Sequence, residues 1–173
     1  MLHTLRAACG DDHEPLDKFD AQLRSAVCSI CNVSLTDDNV DQWLQASLPV
    51  RNGGLGLRRV SSLASSAFLA STADTRRLQD QILHRVSPGK DNMFEHCLQT
   101  RVTNGRQPPD NSVTHKQKIW DKMVVDVEYN HLLSRYSEPY HRARLLAAAA
   151  SYSGDWLRTL LISACGLSPL PLF

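Results

Sequence analysis

Apolar side chains recur at three- and four-residue steps over most of the chain, the spacing of one helix face. The strongest stripe is Leu16, Phe19, Leu23, Val27 and Ile30, with Pro15 suited to a first helical position and Asp17, Lys18, Asp20, Gln22 and Arg24 opposite. Before it, Leu2, Leu5 and Ala8 share a face that Cys9-Gly10 ends, a scrap that reads as the tail of a longer helix. Thr36 is predicted to cap a short helix bearing Val40, Trp43 and Leu44. Ser61 or Ser62 should cap another bearing Leu63, Ala67, Phe68 and Ala70, whose many Ala and Ser residues suggest close packing. Thr75 is predicted to start a further helix with Leu78, Ile82, Leu83 and Val86, stopped by Pro88-Gly89; Met93, Phe94, Leu98 and Val102 make one more. After a polar, proline-containing linker, Thr114 to Tyr136 is helical in pattern, with Trp120, Met123, Val127, Leu132 and Leu133 as core candidates. The β-branched Val124, Val125 and Val127 are expected to break it in two. Glu138-Pro139 opens a last helix reaching Ala150, followed by a turn and a brief apolar segment, Trp156 to Leu161.

One stretch breaks this pattern. Leu48 to Arg59 carries Gly53, Gly54 and Gly56, and each glycine costs about 1 kcal/mol against alanine inside a helix. Asn52-Gly53 accepts positive φ at two successive positions, as a tight type I′ turn requires. Leu48 and Val50 precede it and Leu55 and Leu57 follow, each pair spaced by two, and Arg58-Arg59 lie at the exit. Two readings fit: a short β-hairpin with one apolar face, or a loop that reverses the chain between helices. The expected fold is therefore mainly α, a bundle-like array of six to eight helices with one short β-hairpin around Asn52-Gly53. Its divisions are 1–103, a linker at 104–113, a C-terminal helical part at 114–167 and a disordered tail at 168–173. The N-terminal part should be the better packed, with Gly105 in the linker open to substitution.

At 173 residues, with 42% hydrophobic and 21% charged side chains, the chain is long enough for a real core and too apolar for wholesale disorder. Lysine and arginine number 19 against 18 acids, so attraction to nucleic acid has to come from local patches. The longest apolar run, Leu145 to Ala150, is far short of the roughly 20 residues that cross a bilayer, and the N-terminus lacks a signal-peptide pattern. An intracellular location, cytoplasm or nucleus, is expected. Cys28 and Cys31 form a lone Cys-x-x-Cys inside a helical pattern without partners to complete four zinc ligands. No metal, no cofactor, no membrane and no small-molecule ligand is expected.

Trp43 to Arg58, with its Leu48-Pro49 followed by Gly53-Gly54-Leu55-Gly56, resembles the segment just beyond the polymerase palm in reverse transcriptases of non-LTR (LINE-like) retrotransposons. So do Asp17-x-Phe19-Asp20 with Leu23-Arg24 upstream, His115 to Lys118 with Trp120-Asp121, Arg142 to Ala147, and Ser153 to Leu157; the resemblance spans roughly residues 1–167. After Cys165-Gly166-Leu167 the family continues, whereas here a Pro-Leu tail follows, as a frameshift, an aberrant splice or an early stop would leave. The resemblance implies thumb and connector, 1–103 and 114–167, with the palm of the parent polyprotein as a possible partner.

A polymerase gathers two or three aspartates around magnesium. Asp11-Asp12 and Asp37-Asp38 lie in helix-start contexts instead. The expectation is a non-catalytic fragment that touches the backbone of an RNA–DNA or DNA duplex weakly and without reading sequence. The contacts would come from Arg51, Arg58 and Arg59 around the glycines, Arg76 and Arg77 one helix later, and Lys116 and Lys118 beyond the linker. Arg142 and Arg144 form a further basic pair. The competing expectation is a helical protein-interaction module, or an inert relic, with no nucleic-acid role.

Overall fold

A computed structural model describes residues 2–9, 14–35, 40–84, 91–110 and 113–155. Seven α-helices are present among them: α1 (Leu2–Ala7), α2 (Glu14–Cys31), α3 (Val40–Ser47), α4 (Val60–Ile82), α5 (Asn92–Thr103), α6 (Gln117–Arg135) and α7 (Pro139–Ala148). A 3₁₀ turn, Val50–Asn52, stands between α3 and α4. The expected Thr36 cap, the Pro88-Gly89 stop, the aspartates at 11–12 and 37–38, the segment from Trp156 to Leu161 and the tail at 168–173 lie outside the described residues.

The long α4 is the hub, packed by α1, α2, α5 and α6. It runs unbroken through Thr75, whose hydroxyl donates to the Ser71 carbonyl oxygen at 2.8 Å and so stays within the helix instead of starting a new one. The small side chains of Ala64, Ser65, Ser66, Ala67 and Ala70 are all buried, the close packing that the Ala/Ser run implies. Leu5 of α1 joins Val60, Ala64 and Ala67 in one cluster, with Leu16 and Leu63 against it. Phe68, Leu69 and Ala70 meet Cys97 of α5 and Trp120 of α6 in a second.

The helices beyond the linker share these cores. Leu44 and Leu48 pack with Val125 and Leu132 of α6 and Leu145 of α7. A fourth cluster joins Val27 of α2 to Trp43 and Ala46 of α3, with Leu23, Leu35 and Leu57. The expected break in α6 is absent. Val124 and Val125 are fully buried in a continuous helix, so tertiary packing overrides their weak helix preference. The C-terminal part thus supplies core side chains as deep as any in the N-terminal part.

The expected β-hairpin around Asn52-Gly53 is not formed, and no strand occurs among the described residues. The reason lies in the carbonyl groups that the end of α3 leaves without helical partners. Leu55 N–H and Leu57 N–H donate to Ala46 O at 3.0 and 3.3 Å, and Gly56 N–H donates to Leu48 O at 2.9 Å. The chain therefore folds back as a cap on α3 rather than pairing with itself. Gly53 has φ of 78° and Gly56 of 75°, while Asn52 is not in the left-handed region that the type I′ reading required. Gly54 needs its missing side chain for a different reason. A Cβ there would lie 2.1 Å from Leu48 O and 2.5 Å from Gln45 O.

Candidate nucleic-acid interface

The glycine loop leads into α4, and its two exit arginines turn inward. Arg58 Nη2 donates to Asp121 Oδ1 at 2.5 Å, and Arg59 Nη2 pairs with Glu128 Oε1, both acids on α6. Glu128 Oε1 also accepts from the Ser62 hydroxyl at 2.8 Å. Each of the four charged side chains is largely shielded, so these pairs brace the loop and α4 against α6. Burial pushes the Asp121 carboxyl above its ordinary range. Glu128 adds to that rise, while Arg58 and then Arg51 and Arg101 oppose it without cancelling it.

Two further polar residues fix the frame. Asp20 of α2, which the helical pattern assigns to a solvated face, is buried. Its carboxylate accepts Val60 N–H at 2.8 Å and Ser61 N–H at 3.1 Å. It therefore caps α4 from another helix, in place of the expected Ser61 or Ser62. Arg101 of α5 is 2% exposed and donates to Ser65 Oγ, Ser66 Oγ and Trp120 O at 3.0 to 3.1 Å. Its guanidinium also stands 5.3 Å from the Trp120 ring centroid.

Arg51 goes the other way, onto the surface. Together with Asn52 it lines a groove of about 470 Å³ whose remaining walls are Lys116, Lys118, Ile119, Lys122 and Asp126. Lys118, Lys122 and Asp126 recur every four residues along one stripe of α6. Asp126 stands 3.7 Å from Lys122. Arg51 Nε donates to Asn52 Oδ1 at 3.3 Å, which orients the guanidinium. No ion pair engages Arg51, Lys116 or Lys118 among the described residues. Four cations against one carboxylate make this a concave, positively charged surface.

The structure thus brings Arg51, Lys116 and Lys118 together from opposite sides of the linker, and places Arg58 and Arg59 in the α4–α6 seam. Arg76 lies over the Phe94 ring, 6.0 Å from its centroid, and does not line the groove. The Arg77 side chain lies outside the described residues. Arg144 stands 5.5 Å from the Tyr140 ring centroid. Lys122 belongs to no adjacent basic pair, yet it lines the groove, and its four-residue step from Lys118 is the sequence signal for it. Gly53, Gly54 and Gly56 hold the loop that carries Arg51. A Cβ on Gly53 would lie 3.0 Å from Leu145 O, so the turn sits directly on α7.

No group of three or more His, Cys, Asp or Glu side chains that could hold a metal ion occurs among the described residues. Cys28 is half-buried and Cys31 exposed, both as free thiols. No helix of the described residues is long and apolar enough to cross a membrane. Comparison of the chain with protein-family models, with curated proteins and with solved structures finds no match.

Proposed function

We propose that this chain is a non-catalytic segment of the non-LTR reverse transcriptase lineage, corresponding to thumb and connector, that holds a nucleic-acid duplex by its backbone. The observation that carries the reading is the groove of Arg51, Lys116, Lys118 and Lys122, four cations gathered on one concave surface of a chain with formal net charge of only +1. Cations so placed neutralise phosphates of any sequence, and their affinity falls as salt rises. The sequence resemblance to the segment beyond the palm supports the choice of an RNA–DNA hybrid as the duplex to test. The palm of a parent polyprotein would be its natural neighbour.

Fluorescence anisotropy on an RNA–DNA hybrid across a salt series tests this reading. Four phosphate contacts give a slope of log affinity against log salt of roughly −3.6 for B-form DNA, with a somewhat smaller magnitude expected for the hybrid. Absence of binding at low salt, or a flat salt dependence, would leave the groove as a solvated surface.

A second reading, a helical protein-interaction module, draws on the far end of α4. Leu78, Ile82 and Leu83 are each more than half exposed there, at 56%, 66% and 56%. A chain that self-associates or docks through this end and ignores nucleic acid at every salt concentration would favour it.

A further inference from the structure

The groove has features that a passing duplex backbone leaves unused. Its volume, about 470 Å³, falls in the range of roughly 300–1,000 Å³ that holds a small organic group. Ile119 gives it an apolar wall and Asn52 an amide, beside the four cations and Asp126. Arg51 spends only Nε on Asn52, so both Nη groups are without a hydrogen-bond or ion-pair partner among the described residues and present a fork for two phosphate oxygens. A phosphodiester inside a strand carries one charge. A terminal phosphomonoester carries about −1.5 to −2 at neutral pH and three strong acceptor oxygens.

We infer that the groove is a seat for a phosphomonoester of the kind borne by the 5′ end of a nucleic-acid strand. Lys118 and Lys122 supply cations from α6, Arg51 supplies its fork from the loop, and Lys116 adds a third lysine at the mouth of the helix. Ile119 meets the apolar part of the terminal nucleoside. The inference rests on the proposed nucleic-acid reading and adds to it a preference for strand ends over internal backbone.

The test uses the whole chain and two hybrids of identical sequence, one with a 5′-phosphate and one with a 5′-hydroxyl, compared by anisotropy near physiological salt. The phosphorylated hybrid is expected to bind roughly three- to tenfold tighter, the scale of one added charge-assisted contact. Lys118→Ala combined with Lys122→Ala should erase that preference; both side chains are exposed, so the fold is not at stake. Equal affinity for the two hybrids, with the salt slope intact, would overturn the inference while leaving backbone binding in place. A preference that survives the double variant would overturn it too, and failure of the parent chain to bind either hybrid even at low salt would overturn both readings. A nucleoside 5′-monophosphate added as competitor separates the two sources of the group. Displacement assigns the seat to free nucleotides as well as strand ends, and no displacement assigns it to strand ends alone.

Discussion

Asp121 and Arg58 show how a single contact decides whether an arginine is a ligand or a brace. A guanidinium committed to a shielded carboxylate would have to lose that partner to meet a phosphate, and removing one member of a buried pair costs on the order of 3–5 kcal/mol. The neighbouring Arg51 has no such commitment. Asp121 also gives the fold a pH signature. Its carboxyl is raised above the ordinary value of 3.8 in the folded chain, so the folded state holds this proton more tightly than the unfolded one. Its contribution to stability is present in full below the unfolded pKa and is lost as pH rises through the raised folded pKa. The stability of the parent relative to Asp121→Asn, measured by urea unfolding at several pH values, should fall as pH rises from about 3.8 and then level off. A relative stability that rises over that interval would mean that the Arg58 attraction outweighs burial.

At the scale of elements, the glycine loop works as a cap on α3, and its glycines are unequal. Gly54→Ala forces a methyl group into the Leu48 and Gln45 carbonyl oxygens and should cost the most, about 3 kcal/mol or more, since backbone has to move. Gly53→Ala combines a left-handed φ with contact on α7 and should cost roughly 1–3 kcal/mol. Gly105 has open space around it but a φ of 73°, so Gly105→Ala should cost about 1 kcal/mol, contrary to the tolerance its linker position implies. Thermal or urea unfolding of the three variants gives the order, and a Gly54 variant as stable as the parent would refute the cap. The helices themselves were legible from periodicity: α2, α5, α6 and α7 stand where their apolar stripes and Pro139 put them. Their buried faces were less so. Ile30 is 83% exposed on the α2 stripe, and Val127 of α6 is 41% exposed, whereas Asp20, Arg101 and Glu128 are buried. Periodicity reads hydrophobicity alone, and these polar residues are buried because partners distant in sequence satisfy them. The loop carries a hairpin pattern but forms a cap for the same reason: its hydrogen-bond partners are helix-end carbonyls, which two-residue alternation cannot reveal.

For the whole molecule, the sequence showed basic pairs one at a time, and only the packing of the loop against α6 sorts them. Lys116 and Lys118 join Arg51 across the linker, while Arg58 and Arg59, nearer to Arg51 in sequence, fall inside. In the proposed reading, duplex contacts therefore fall to Arg51 and the three lysines rather than to Arg58 and Arg59. The central claim is this division of labour, and the salt slope of hybrid binding in two variants tests it most directly. Lys116→Ala with Lys118→Ala removes two groove cations and should flatten the slope by nearly two. Arg58→Met with Asp121→Leu replaces the pair by apolar side chains, a change that such pairs often tolerate, and should leave the slope unchanged. The opposite pattern, a slope that survives loss of the lysines and flattens with loss of Arg58, would contradict the account.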